Sequence, residues 1–334
     1  MTVPRRSTVA RVAERAGVSI ASVSRVLNDQ PASEAVIARV RQAAQELGYV
    51  AHAGARSLKV GKTEQIALAV ADVGNPVYVS MMRAVSEVVA RSGYRLVISS
   101  TGSDAKDQVE LLASLNRGYA DGLILSPLRV TDELLDQLRA SPLPIVVIGS
   151  LPDDVQIDNV RADSAAGVGL AMTHLYEQGS RRIAFINGPV DTVPGAARLS
   201  GFTHSLERLG LPTSRELQVE SADFTYQTGQ VAAEQLFSQA SPDAILCAND
   251  LLAVAAIKVA TQRGLSVPGD IAIVGMDNTE VAELSNPSLT SVELGSIQRA
   301  REAAELLVSR LADPDLPARR VVVSPSLTIR ESTA

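Results

Sequence analysis

The sequence predicts a small all-α helix-turn-helix head followed by a larger, two-lobed α/β core with parallel sheets and helices on both faces. Three observations predict it. Between Val9 and Leu47 apolar residues recur at helical spacing. From Gln65 onward, apolar runs suited to buried strands alternate with amphipathic helical stretches. The charge divides at the same place. Residues 1–62 hold ten Lys/Arg and four Asp/Glu, and the remainder holds 21 and 33, so the formal net charge of −6 hides a basic head on an acidic body. A basic segment on an acidic protein meets a polyanion, or else is a solvated basic helix pair.

Composition narrows the function classes. The 334 residues are 46% hydrophobic and 20% charged, as in an ordinary globular protein. No apolar run approaches the roughly 18 residues of a membrane helix, and "MTVPRRSTVARVAERAG" has no secretory pattern, so a cytoplasmic protein without a membrane partner is expected. The single cysteine, Cys247, rules out an internal disulfide framework, and with only three histidines a structural zinc site is not expected.

The first helix follows from Val9, Val12, Ala13 and Ala16, which form one apolar stripe, with Ser7 or Thr8 able to cap it. Gly17 ends it, because glycine accepts the left-handed turn. Ser19 can cap a second helix in which Val23, Val26 and Leu27 turn inward while Ile20, Ala21, Ser24, Arg25 and Asn28 lie toward another face. A third helix opens at Ser33, buries Ile37, Val40, Ala44 and Leu47, and closes at Gly48. Two short helices joined by a tight turn and braced by a third are the layout of a helix-turn-helix, whose second helix fits the major groove. Ser19 and Ser22 can then meet phosphates, and Arg25 can present two donors to a guanine edge. A plain three-helix bundle with a polar face has the same spacing.

In the core, "QIALAVADV", "YRLVISS", "GLILS", "PIVVIGS", "RRIAFING", "DAILCAN" and "DIAIVGMD" read as strands, within a total of about ten. That is too many for one small sheet, and it fits two lobes with a cleft. Polar or turn residues follow the strand ends, where open α/β sheets bind ligands. Enzyme signatures are missing: no Walker A lysine motif, no H-E-x-x-H and no G-x-S-x-G. "GVGLAM" at Gly167 mimics part of a dinucleotide fingerprint but lacks the third glycine. Neither an enzyme nor a cofactor is expected.

"TVARVAERAGVSIASVSRVLN" closely resembles the head of the lactose-repressor (LacI/GalR) family, with Arg11 where Asp is usual and Ser22 where Thr is usual. The resemblance implies a repressor of transcription that binds a palindromic operator in double-stranded DNA as a homodimer. Ile20 and Ala21 would be its sequence-selecting positions, able to touch thymine methyls. "ARSLK" resembles the family's hinge helix, which makes Leu58 a minor-groove wedge; a plain apolar linker residue is the alternative. His52 and Gly54 depart from that pattern. The implied domains are the head at 1–50, the hinge at 51–63 and a periplasmic-binding-protein-like core at 64–334. The core would have one lobe at about 64–162 and 292–320, and the other at about 163–291 and 321–334.

The resemblance also implies the ligand residues. They are Arg198 in "GAARLSGF", Asn249 in "CANDLLA", Asp277 in "VGMDNTE" and Phe224 in "SADFTYQTG", with Asp72 and Tyr78 from "DVGNPVY" and Ser126 after "GLIL". An arginine, an amide and a carboxylate at strand ends suit a sugar or sugar derivative, because they donate and accept in fixed directions. Alternatives stand beside each reading: Arg198 as a bridge between lobes, and Asn249 or Asp250 as a helix cap, with Asp250 the preferred cap. Gly149 stands where some sugar-binding relatives have a carboxylate. A regulator answering to a phosphoprotein, or a binding protein without a gene-regulatory role, would share the core fold.

Overall fold

A computed structural model describes residues 8–28, 30–50, 61–102 and 104–334. The chain divides into two compact units, residues 1–63 and 64–334.

The first unit has three helices among its described residues: α1 (Val9–Ala16), α2 (Ile20–Leu27) and α3 (Glu34–Glu46). Thr8 caps α1 by accepting from the Arg11 amide, and Gly17 closes it at φ 62°. Ser19 caps α2 by accepting from the Ser22 amide at 3.1 Å. Val12, Ala13, Ala16, Val23, Val26, Val40 and Ala43 form the core, with Ile37, Ala44 and Leu47 packed at its margin. An exposed Arg15–Glu46 ion pair ties α1 to α3.

The second unit contains two six-stranded sheets. The first has the order β11-β5-β4-β3-β1-β2 and is parallel throughout. Its strands are β1 (Gln65–Val70), β2 (Arg95–Ser100), β3 (Gly122–Ser126), β4 (Ile145–Ile148), β5 (Asp158–Ala162) and β11 (Arg320–Val323). Helices α4 (Pro76–Arg91), α5 (Ala105–Leu115) and α6 (Asp132–Ala140) follow strands β1, β2 and β3. The second sheet runs β12-β10-β9-β8-β6-β7. It comprises β6 (Ile183–Asn187), β7 (Gln218–Glu220), β8 (Ala244–Cys247), β9 (Ala272–Met276), β10 (Thr290–Glu293) and β12 (Ser326–Thr328). Only β12 is antiparallel to its neighbour. The helices of this lobe are α7 (Ser164–Glu177), α8 (Val193–Leu209), α9 (Tyr226–Gln239), α10 (Asp250–Gln262) and α11 (Glu280–Leu284). Then α12 (Ser296–Ala312) returns to the first lobe, burying Ala300, Ala303, Ala304 and Leu307 against Met81, Ala84, Val85 and Val88 of α4.

The chain therefore passes between lobes three times: after Ala162, after Glu293 and after Val323. The last passage corrects the boundary expected at 320/321. Val321–Val323 pair in parallel with β5, so they belong to the first lobe. The expected opening of the returning segment at 292 also shifts, because Val292 pairs with β9. Strands β5, β7, β10, β11 and β12 are not among the seven runs named from the sequence. They are short, and "DNVRA" and "QVE" lack a continuous apolar run. Gly167 lies within α7, where an added Cβ would meet Val292 and Leu294 at 3.0–3.1 Å, so it serves packing.

Asp158 holds the returning segment. Its side chain is fully buried and pairs with Arg319 at 2.8 Å and Arg310 at 3.0 Å. It also accepts from the Arg319 amide at 2.7 Å. Burial works to raise its pKa, but the bonds from Arg319 and Arg310 prevail and hold it below the ordinary value. Removing the charge from a buried, paired site typically costs a few kcal/mol. Asp158→Asn is expected to lower stability by about 3 kcal/mol in urea unfolding. Because the folded pKa is lowered, the wild-type contribution is complete above the ordinary aspartate pKa of about 4 and disappears as pH falls through the folded value. A urea midpoint that the substitution does not move would remove Asp158 from this role.

Candidate functional site

A cavity of about 150 Å³ lies at the carboxyl ends of the strands, lined from both lobes. The first lobe supplies Asp72, Tyr78, Ser126, Ser150 and, on α12, Arg299; the second supplies Arg198, Phe224, Asn249 and Asp277. All seven ligand-binding residues expected from the sequence thus line one space. Helix starts crowd around it. Asn75 caps α4, Thr225 caps α9, Asn249 caps α10, and Val193 and Pro194 open α8. Each start presents amide hydrogens and the positive end of a helix dipole.

Arg198 stands one turn into α8 and is 6% exposed. The helix is fixed to the sheet by Phe202, whose ring stacks on Phe185 of β6 at 4.8 Å, and by Asn187, whose amide donates to the Gly195 carbonyl at 3.0 Å. Arg198 Nη2 meets Asp277 Oδ1 at 3.4 Å, a long contact for a charge-assisted bond. Its Nε is buried without a hydrogen-bond partner. The guanidinium lies 5.8 Å from the ring centre of Phe224. That ring occupies the space a side chain at residue 188 would need, since a Cβ on Gly188 would come within 2.2 Å of it.

Asp277 follows β9 with φ 100°, and Asn278 follows with φ 47°. Left-handed backbone at non-glycine residues costs on the order of 1–3 kcal/mol and persists where the surroundings enforce it. Asp250 does the enforcing. Its Oδ2 accepts from the amide and hydroxyl of Thr279 at 2.7 and 2.8 Å, and its Oδ1 accepts from Ser291 Oγ at 2.5 Å. Ser291 Oγ in turn accepts from the Asn278 amide at 3.0 Å. This corrects the capping role expected for Asp250. The cap of α10 is Asn249, whose Oδ1 accepts from the Leu252 amide at 2.9 Å. Asn249 Nδ2 donates to the Phe224 carbonyl at 2.9 Å, so its amide positions the aromatic wall as well as lining the cavity.

Burial, with the nearby Asp277 charge, raises the Asp250 pKa to about 7. Burial likewise raises Asp277 to about 6, against the pull of Arg198 and Arg299. Burial raises the Tyr78 pKa, with Ser126 opposing the rise. Asp72 sits at the exposed rim and accepts from the Gly74 amide at 2.8 Å. Arg299, Ser150 and Asp223 also line the cavity without having been singled out from the sequence. Asp223 adjoins the aromatic in "SADFTYQTG", a signal that was available. Arg299 had none, since "SIQRAREAAELLVSRLA" reads as one more amphipathic helix.

On the head, α2 exposes Ile20 (57%), Ala21 and Arg25, with Ser22, Ser24 and Asn28 half-buried beside them. The Ser19 and Ser22 hydroxyls lie 3.0 Å apart and bond each other. Ser19 is therefore a helix cap as well as a candidate phosphate contact. Asn28 Nδ2 donates to the Ser24 carbonyl at 2.6 Å, folding back on the end of α2. Leu58, His52 and Gly54, with the rest of 51–60, lie outside the described residues. Among the described residues no helix is long and apolar enough to cross a membrane.

Comparison with known proteins adds the following. Residues 8–52 match the model for bacterial regulatory proteins of the lacI family, and residues 172–333 match a periplasmic binding protein-like domain. The ribose operon repressor of Escherichia coli strain K12 is 33% identical over 98% of this chain and 99% of its own length. A solved complex of the transcriptional regulator CelR with cellobiose is 33% identical, covering 98% of this chain and 100% of that one with a TM-score of 0.75. The lac repressor dimer bound to operator and the anti-inducer ONPF is 25% identical, covering 98% and 99% with a TM-score of 0.85.

The raised carboxylate fixes a sign for pH dependence. A folded pKa above the unfolded value means the folded protein binds more protons between about pH 4 and pH 7, so stability falls as pH rises through that range. Urea midpoints between pH 5 and pH 8 are expected to show this fall in the wild type and a shallower one in Asp250→Asn. Equal slopes would mean that Asp250 is not the group responsible.

Proposed function

The chain belongs to the lacI family of bacterial regulatory proteins and is a DNA-binding transcriptional regulator; from that premise we propose that it is a repressor controlled by a small polyhydroxylated effector, a sugar or sugar derivative, held in the core cavity. The observation that carries the effector is the cavity itself. Arg198 and Asp277 give buried donors and acceptors in fixed directions, Tyr78 and Ser126 add hydroxyls, and Phe224 offers a flat face to sugar C–H groups. Relatives named for ribose and solved with cellobiose support a saccharide.

On the head, Arg25 reads a guanine edge through paired donors, Ile20 and Ala21 touch thymine methyls, and Ser19 and Ser22 meet phosphates beside the start of α2. Ser24 and Asn28 flank that face. Leu58 is assigned as the minor-groove wedge on sequence alone. The protein acts in the cytoplasm as a two-fold dimer on a palindromic site. Met81, Val85, Val88 and Val89 of α4 are buried in their own lobe, which turns attention to the exposed Val79 of α4 and Val97 and Ile98 of edge strand β2 as dimer contacts.

Capture of genomic fragments by the purified protein at fixed physiological salt is expected to enrich a few palindromic sites. Salt is held fixed because non-specific phosphate binding varies steeply with it. Arg25→Ala is expected to lose about 1–3 kcal/mol of operator preference while retaining effector binding. Asp277→Ala is expected to do the reverse, binding operator normally without responding to effector. Failure to enrich any site, with and without a crude metabolite extract, would overturn the reading.

A further inference from the structure

The cavity contains a second arginine with unbonded donors. Arg299 lies in the first turn of α12, half-buried, and lines the cavity with Arg198, Asp277 and Tyr78. Its Nε donates to the Leu294 carbonyl at 3.0 Å, and its two Nη groups have no hydrogen-bond partner among the described residues. The charged groups acting on it are Asp277, Arg198 and Glu293.

Of the carboxylates close by, most are already engaged. Glu293 Oε1 accepts from the Gly295 and Ser296 amides at 2.6 and 3.1 Å, at the start of α12. Asp250 is held by Thr279 and Ser291. At the rim, Asp72 accepts from the Gly74 amide, and Asp223 accepts from the Phe224 amide; the exposed Arg161 stands there too. Asp277 acts on both guanidiniums. Arg198 meets it only at 3.4 Å and keeps a buried Nε unpartnered. The helix starts around the cavity add partial positive charge. Guanidinium donors left unpartnered in a largely buried site are costly, and the oxygens of an anionic guest would be their acceptors.

Resting on the reading of this cavity as an effector site, we propose that the effector is an anion: a polyhydroxylated molecule carrying a carboxylate or a phosphate, whose oxygens are bound by Arg299 and Arg198. Guanidinium groups suit this because their paired N–H donors match both oxyanions. Ser126, Ser150 and Asp72 remain for hydroxyls, and Phe224 for the carbon face.

The first arm of the test follows thermal stability of the full-length protein as phosphate replaces chloride at constant ionic strength. Wild type is expected to gain stability beyond Arg299→Leu, with Arg299→Lys keeping part of the gain. Identical responses of wild type and Arg299→Leu would overturn the proposal, and this arm decides even where no saccharide tested binds. The second arm is calorimetry with aldonates, aldose phosphates and the matching uncharged aldoses, which distinguishes carboxylate from phosphate. An anionic member is expected to bind at least about tenfold more tightly than its uncharged counterpart, and Arg299→Leu to abolish the difference. An uncharged sugar that binds as tightly as its anion, and is lost in Asp277→Ala, would overturn the anion but leave the effector site standing. Saccharide binding that neither Asp277→Ala nor Phe224→Ala alters would remove the effector site as well.

Discussion

Keeping ionised groups out of water is the constraint on which the second unit depends. Arg198, Asp277 and Asp250 are each less than 8% exposed, and each must be supported. Asp250 is supported best, with three hydrogen bonds from Thr279 and Ser291. Through them it forces the turn at 277–279 into a backbone that its residues would otherwise avoid. Asp277 is thereby presented at the end of β9 and Arg198 near the start of α8, close enough to attract but too far for a short bond. A fully satisfied pair would have little left for a guest. Here the arrangement is held together by groups behind it, so its own front remains chemically available.

The same division of labour explains Asn249. Both polar atoms of its amide bond to protein: the oxygen accepts from the Leu252 amide, and the nitrogen donates to the Phe224 carbonyl. It fixes the start of α10 and the position of the aromatic wall. Its place in the cavity wall follows from those two bonds. Sequence reasoning found the residue and weighed a ligand role against a helix cap, but it preferred Asp250 as the cap, one position too late. The difference between neighbouring polar residues at a helix start is set by backbone angles, which a residue pattern does not encode.

What was legible in the sequence was local. The head depends on contacts within a few turns, so its apolar stripe, Gly17 and the Ser19 cap could be read directly. The long apolar strands were legible for the same reason. Strands such as β5 and β7 were not, because their identity comes from the neighbours they pair with. Arg299 was hidden for a stronger reason. It reaches the cavity only because α12 returns to the first lobe after β10, bringing its first turn beside cavity residues as far apart in the chain as Asp72 and Asp277. No periodicity within α12 separates that arginine from Arg301 or Arg310.

The cavity is also shared between the two lobes. Tyr78, Ser126 and Arg299 belong to the first lobe, and Arg198, Phe224 and Asp277 to the second. Any guest touching both sets has a binding energy that depends on how the lobes are placed. The lobes already touch around it: Arg129 pairs with Asp191 at 2.8 Å, and the Val193 amide donates to the Leu128 carbonyl at 2.9 Å. A guest can shift an equilibrium only by the difference in its affinity for the two arrangements. A site built within one lobe would bind equally in both and shift nothing. With one guanidinium on each side of the cleft, a guest of the proposed charge would be sensitive to lobe placement, and by linkage lobe placement would be sensitive to that guest.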